Sequence, residues 1–122
     1  MSFDISFRII GESLDPDEVS KELSLECDSG SVLEYNNVGV WIIESMPTNN
    51  KDITCQVLSL LDKIRPCKAM IHEYKKRGYT LDIYCGYFFK EEDQPGFGIS
   101  SEILSEMGQL GIDLGMNMYN TC

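Results

Sequence analysis

Phe3-Asp4-Ile5-Ser6-Phe7-Arg8-Ile9-Ile10-Gly11, followed by Asp15-Pro16-Asp17-Glu18-Val19, is the stretch that decides the fold. Phe3, Ile5, Phe7 and Ile9 alternate with Asp4, Ser6 and Arg8. Successive side chains of a strand point to opposite faces, so this pattern predicts a strand with one buried face, ended by Gly11. Asp15 then offers a carboxylate to cap a helix. Pro16 fits the first helical position, where its missing N–H costs nothing, and Glu18 stands three residues after the cap. The acids also suit the positive end of the helix dipole. Val19 and Leu23, four apart, form the buried side of this short helix.

The same two periods recur outward from there. Residues 27–30 turn, and residues 31–35 and 38–45 read as two strands. Asn36-Asn37 between them suits a hairpin turn, because Asn tolerates the left-handed backbone. Residues 46–50 form a loop that ends in a helix cap. Ile53, Val57, Leu60, Leu61 and Ile64 follow at helical spacing. Pro66 removes a backbone donor, so it kinks that helix or starts a second one carrying Met70, Ile71 and Tyr74. Lys75-Lys76-Arg77-Gly78 is a helix stop, with cations at the negative end and Gly for the left-handed cap. Tyr79, Leu81, Ile83 and Cys85 alternate as a strand, and residues 86–99 read as a loop. Ser100 caps a third helix with Ile103, Leu104, Met107 and Leu110 buried, ended by Gly111. Ile112, Leu114, Met116 and Met118 alternate as a last strand, which places Met107, Met116 and Met118 in the core.

The order β-α-β-β-α-β-α-β predicts an α+β two-layer sandwich, a mainly antiparallel ferredoxin-like sheet with helices on one face. The 122 residues, 43% of them hydrophobic and 25% charged, fit a single α+β domain over 1–122. The formal charge is −10, which argues against nucleic acid and against an anionic membrane as partners. No apolar run reaches membrane-span length, and Met1-Ser2-Phe3-Asp4 carries no basic or apolar signal pattern. The five cysteines, Cys27, Cys55, Cys67, Cys85 and Cys122, are odd in number and scattered. We read them as reduced thiols of a cytoplasmic protein, with Cys85 in the core and Cys122 exposed.

Several motifs in order resemble a known family. They are Leu14-Asp15-Pro16-Asp17-Glu18-Val19, Gly39-Val40-Trp41 and Gly78-Tyr79-Thr80-Leu81-Asp82-Ile83-Tyr84-Cys85-Gly86-Tyr87-Phe88. Gly96-Phe97-Gly98-Ile99-Ser100-Ser101-Glu102-Ile103-Leu104 follows and runs into Leu110-Gly111-Ile112-Asp113-Leu114 and Tyr119. Together they resemble the bacterial domain-of-unknown-function family 4279 over almost the whole chain. The resemblance implies an α+β fold and a bacterial origin, and it supplies no catalytic residues. Residues 27–37 depart from the basic, Trp-containing stretch usual in that family.

The chemistry sought in the sequence does not assemble. His72 is the one histidine, with no triad pattern beside it, so it reads as a surface or packing residue. One His with dispersed cysteines lacks the spacing of a zinc site. Asp15 and Asp17 begin like a calcium loop, but Val19 stands where a third ligand belongs. Gly96-Phe97-Gly98 lacks the residues of a phosphate cradle. We therefore expect no catalytic residue, no metal and no cofactor.

Two features stand out. Charge is segregated: residues 1–50 carry −8, residues 51–77 carry +4 and residues 78–122 carry −6. Three consecutive aromatics, Tyr87-Phe88-Phe89, precede the acids Glu91, Glu92 and Asp93 and then Phe97. Aromatic anchors beside charges are what interfaces favour. Tyr87, Phe89, Glu91, Glu92, Asp93 and Phe97 are therefore the candidate partner-binding residues. The expected function is a small acidic cytoplasmic binding protein, an immunity-type protein that neutralises a bacterial toxin by covering a basic surface. The alternatives are an enzyme or small-molecule sensor with a pocket near Tyr84, Trp41 and His72, and a structural homodimer joined through an open sheet edge.

Overall fold

The computed structural model describes residues 2–33, 36–45, 53–90 and 97–120. The loop at 46–50, the acids Glu91, Glu92 and Asp93, and Cys122 lie outside the described residues. The chain runs β1 (Ser2–Glu12), α1 (Pro16–Leu23), β2 (Ser29–Leu33), β3 (Val38–Glu44) and α2 (Ile53–Ile64). A 3-10 turn (Arg65–Cys67) leads to α3 (Lys68–Lys76), β4 (Thr80–Phe89), α4 (Ser101–Leu110) and β5 (Asp113–Asn120).

Local chemistry sets the boundaries. The Asp15 carboxylate accepts from the Asp17 N–H at 3.0 Å, with Pro16 beginning the helix. The Ser100 hydroxyl accepts from the Ile103 N–H at 3.3 Å. Pro66 falls in the 3-10 turn that separates α2 from α3. Gly78 and Gly111 take φ of +86° and +73°, the left-handed values that end α3 and α4. Asn37 takes φ +54°, and the Asn36 side-chain oxygen accepts from the Val38 N–H at 3.2 Å, as a turn into β3 requires.

The five strands form one sheet in the order β2-β3-β1-β4-β5. β3 is antiparallel to β2 and to β1, and β1 is antiparallel to β4. β5 is parallel to β4, so the sheet is mixed where the sequence reading expected a mainly antiparallel one. The cause is the connection: α4 carries the chain back along the sheet, and a helical crossover to a neighbouring strand returns it in the same direction.

Alternate residues of the central strands build the core. Ile5, Phe7 and Ile9 meet Trp41 and Ile43 on one side and Leu81, Ile83 and Cys85 on the other. Val57, Leu60, Leu61 and Ile64 of α2, Ile71 and Tyr74 of α3, and Ile103, Met107 and Leu110 of α4 cover this face. Each fully buried aliphatic side chain here contributes about 1.5–3 kcal/mol. Three expectations fail. β4 runs on through Gly86 to Phe89, where a loop was expected. Leu104 faces solvent at 45% exposure on α4. Met118, expected in the core, is 55% exposed. β5 turns Leu114, Met116 and Met118 to the helix side as read, but only Met116 is half-buried there, and Leu114 and Met118 on either side of it are exposed.

Candidate functional site: the uncovered sheet face

Strand alternation that buries Ile5, Phe7 and Ile9 must turn Asp4, Ser6 and Arg8 the other way. On this helix-free face Arg8 stands opposite Asp82, Ser6 opposite Tyr84, Gly86 beside Asn117 and Phe88 beside Tyr119. The result is a polar and aromatic band across β1, β4 and β5.

Arg8 anchors the band. Its Nε donates to Asp82 Oδ1 at 2.9 Å and its Nη2 donates to Oδ2 at 2.6 Å, a two-pronged match of guanidinium and carboxylate. The hydrogen bond to Asp82 holds the Arg8 pKa above its usual value. The guanidinium carbon also lies 4.5 Å from the Tyr84 ring centre. The Tyr84 and Tyr119 hydroxyls lie 3.2 Å apart, and Asn117 Nδ2 donates to both. The hydrogen bond with Tyr119 raises the Tyr84 pKa. Phe88 stacks on Tyr119 with centroids 4.8 Å apart. Exposed carboxylates flank the band at Asp4, Glu44 and Asp113.

A cleft of about 440 Å³ opens where β1 begins and β3 ends, lined by Phe3, Asp4, Ser6, Glu44, Gln56 and Tyr84 among others. Gln56 is buried, and its side-chain oxygen accepts from the Ser45 hydroxyl at 2.9 Å. The acids Asp4 and Glu44, with hydrogen-bonding Ser6, Ser45, Gln56 and Tyr84 beside them, give this cleft the chemistry to take a cationic group.

Of the sequence-predicted contacts, the structure brings three together. Phe3 stacks on Tyr87 at 4.6 Å, Phe97 meets both rings edge-on at 6.1 Å, and Tyr87 lies 5.6 Å from Phe89. Phe97 is 43% exposed, whereas Tyr87 is fully buried and supports the cluster from beneath. Tyr87 therefore presents no surface to a partner: strand alternation turns it into the covered face beside Cys85. Glu91, Glu92 and Asp93 lie outside the described residues. Sequence reasoning missed Phe3, whose signal is its register opposite Tyr87. It also missed the Arg8–Asp82 pair, 74 residues apart in the chain.

The supposed pocket of Tyr84, Trp41 and His72 does not form. Trp41 lies in the covered core, and Tyr84 is on the opposite face. His72 is on α3, with Nε2 3.2 Å from the Gln109 carbonyl. That oxygen only accepts, so Nε2 carries the proton. Burial pushes the Cys85 thiol up to about 11 and raises that of Cys67, the reverse of an activated thiol. Among the described residues, no group of three or more His, Cys, Asp and Glu could hold a metal ion, and no helix is long and apolar enough to cross a membrane.

Basic residues collect in the helical layer instead. Lys63, Arg65, Lys68, Lys75, Lys76 and Arg77 belong to α2, α3 and the turns beside them. Arg65 is held to Glu106 by bonds of 2.7 and 2.8 Å and also meets Asp62, and Arg77 reaches Glu22 at 3.5 Å. The helical layer also carries acids, Asp17, Glu18 and Glu22 on α1 and Glu102 and Glu106 on α4, so the bases concentrate on the α2–α3 segment.

No curated protein and no solved structure matches this chain. A family match does span residues 1–121. With nearly every residue inside that match, the chain belongs to the family described as Domain of unknown function (DUF4279).

Proposed function

We propose that this chain is a non-enzymatic, cytoplasmic binding protein of the immunity type, which neutralises a bacterial toxin by covering a basic surface. The observation that supports this reading is the helix-free face, where exposed Asp4, Glu44 and Asp113 border Tyr84, Phe88 and Tyr119 and Arg8 is already paired with Asp82. Such a face steers a basic partner into encounter and then offers aromatic area to bury. Exposed Phe97 is a further candidate contact at the end of the Phe3–Tyr87 cluster. We also read the first four strands as a ferredoxin-like unit. Their order β2-β3-β1-β4, with every neighbour antiparallel, supports that finer reading.

The test captures the partner from the native host with the purified chain and then measures the isolated pair. A basic protein that arrests growth alone and is silenced by co-expression is expected, with an association rate that falls as salt rises. The double variant Asp4→Asn, Glu44→Gln should slow association by roughly tenfold and flatten that salt dependence. A partner whose association ignores salt, or turnover of a metabolite by the purified chain, would overturn the reading.

A further inference from the structure

β5 is the outermost strand of the sheet, bonded to β4 along one edge. Among the described residues nothing pairs with its other edge. Exposed edges of native sheets are blunted by shortness, by Lys or Pro, or by a bulge, because their free N–H and C=O groups are a template for another strand. β5 is eight residues long, Asp-Leu-Gly-Met-Asn-Met-Tyr-Asn, with no Lys, no Arg and no Pro. Its one charge is Asp113, in a chain of net charge −10. Six large apolar side chains are exposed among the described residues, and three of them, Leu114 at 39%, Met118 at 55% and Tyr119 at 41%, belong to this strand. Two others, Phe97 and Leu104, lie in the segment that leads into it.

We propose that the free edge of β5 pairs antiparallel with β5 of a second copy of this chain, joining two sheets into one across a twofold axis. The occupant follows from self-complementarity. A twofold axis normal to the sheet reverses the strand but keeps each face on its own side, so residues of equal parity meet. Pairing about Met116 sets Leu114 opposite Met118 of the second copy and the two Met116 side chains opposite each other. That joins the apolar residues the helical layer leaves uncovered. The same register keeps the two Asp113 carboxylates about 20 Å apart, six residues at ~3.3 Å each, beyond the screening length at physiological salt. The lone charge of the strand therefore does not oppose the contact, and Asp113 lies opposite Tyr119 of the second copy. Repulsion between the two acidic bodies remains, so this contact strengthens as salt rises. Binding of a basic partner to the acidic face has the opposite salt dependence, so the two proposals stand or fall separately.

Sedimentation of the chain over a range of concentrations at low and high salt tests the pairing. A single strand pair lies at the small end of specific interfaces, so dissociation in the range of about 1–100 μM is expected. The mass should rise from 13.8 kDa toward twice that value, and more readily at high salt. Met118→Lys should weaken the dimer at least about tenfold, by putting a cation on the pairing edge in place of the apolar contact of Met118 with Leu114 of the second copy. Val32→Lys, at an exposed position on the opposite edge strand β2, should leave it unchanged. Hydrogen exchange reports without any variant: outward N–H groups of β5 should gain protection with concentration. A chain that stays monomeric at every concentration, or a dimer broken by Val32→Lys and not by Met118→Lys, overturns the proposal.

Discussion

The two edges of the sheet are finished in opposite ways. β2 is five residues long and exposed from Ser29 to Val32, but α1 approaches its backbone: a Cβ on Gly30 would stand 2.9 Å from Pro16 Cβ. The chain entering β2 is pinned as well, with the Asp28 N–H donating to the Ile42 carbonyl at 2.8 Å and the Asp28 carboxylate accepting from the Glu44 N–H at 2.7 Å. β5 is longer, and its covered-side residues outrun the helical layer at Leu114 and Met118. A closely packed edge resists change because neighbouring backbone cannot move aside. A bare edge tolerates change and is free to serve contact. Substitutions at matched positions separate these two behaviours.

The largest effect belongs to the packed side. Gly39 on β3 pairs with Val32 of β2, and a Cβ there would stand 1.9 Å from the Leu14 carbonyl oxygen. Backbone must shift to admit it, so Gly39→Ala should lower stability by about 3 kcal/mol, the upper range for overpacking. The matched change at the bare edge is Gly115→Ala, whose Cβ would meet Tyr84 at an ordinary 3.7 Å. It should be neutral or stabilise by about 0.5 kcal/mol, since Ala orders more readily than Gly inside a strand. Denaturant melts of the two variants check the contrast. Equal losses would mean that the edges do not differ in packing.

Trp41 tests the same contrast with a smaller effect. It is fully buried, lies edge-on to Phe7 with centroids 6.4 Å apart, and donates from Nε1 to the Ser20 hydroxyl at 2.9 Å. That bond ties α1 to β3. Trp41→Phe removes it and leaves a small void, at a cost of about 2 kcal/mol. Exchange should then quicken in α1 and β2 while β5 keeps its rate. Loosening spread evenly over both edges would contradict the assignment of α1 to the β2 side.

The sequence carried the local rules well and the distant ones poorly. The alternation of β1, the Asp15 and Ser100 caps and the stops at Gly78 and Gly111 depend on neighbours a few residues away, so they could be read directly. Gly86 reads in the sequence as the start of a loop, and a strand interior disfavours a residue without a side chain. In the fold the rings of Phe88 and Tyr119 lie near the space its Cβ would fill, at 3.4 and 3.7 Å, and the strand continues beneath them. Alternation told which face of β5 is apolar, but whether a helix reaches far enough to cover it depends on where α4 lies. The candidate site was hidden for the same reason. Arg8, Asp82, Tyr84, Asn117 and Tyr119 meet only once β4 lies between β1 and a parallel β5. The charge difference between the ends and middle of the chain was legible because charge is read directly along the sequence.

The smallest expected effect concerns the helix that delivers β5 to the sheet. Glu106 on α4 is held by Arg65, whose hydrogen bond lowers the carboxyl below its usual 4.5. A group whose pKa is depressed by folding adds stability above its unfolded pKa and loses it as pH falls through the folded value. The Arg65–Glu106 contribution is therefore complete above about pH 4.5 and fades in more acid solution. Both partners are substantially exposed, so solvent screens the pair and its contribution is small. Glu106→Gln should slightly lower the melting temperature at neutral pH and make its decline below pH 4.5 shallower, with the variant and the parent converging in acid. Any exchange change should appear in α4 and β5 and leave α1 and β2 untouched. A neutral-pH loss that persists undiminished into acid would show that Glu106 acts through packing, and α4 would then hold β5 without help from charge.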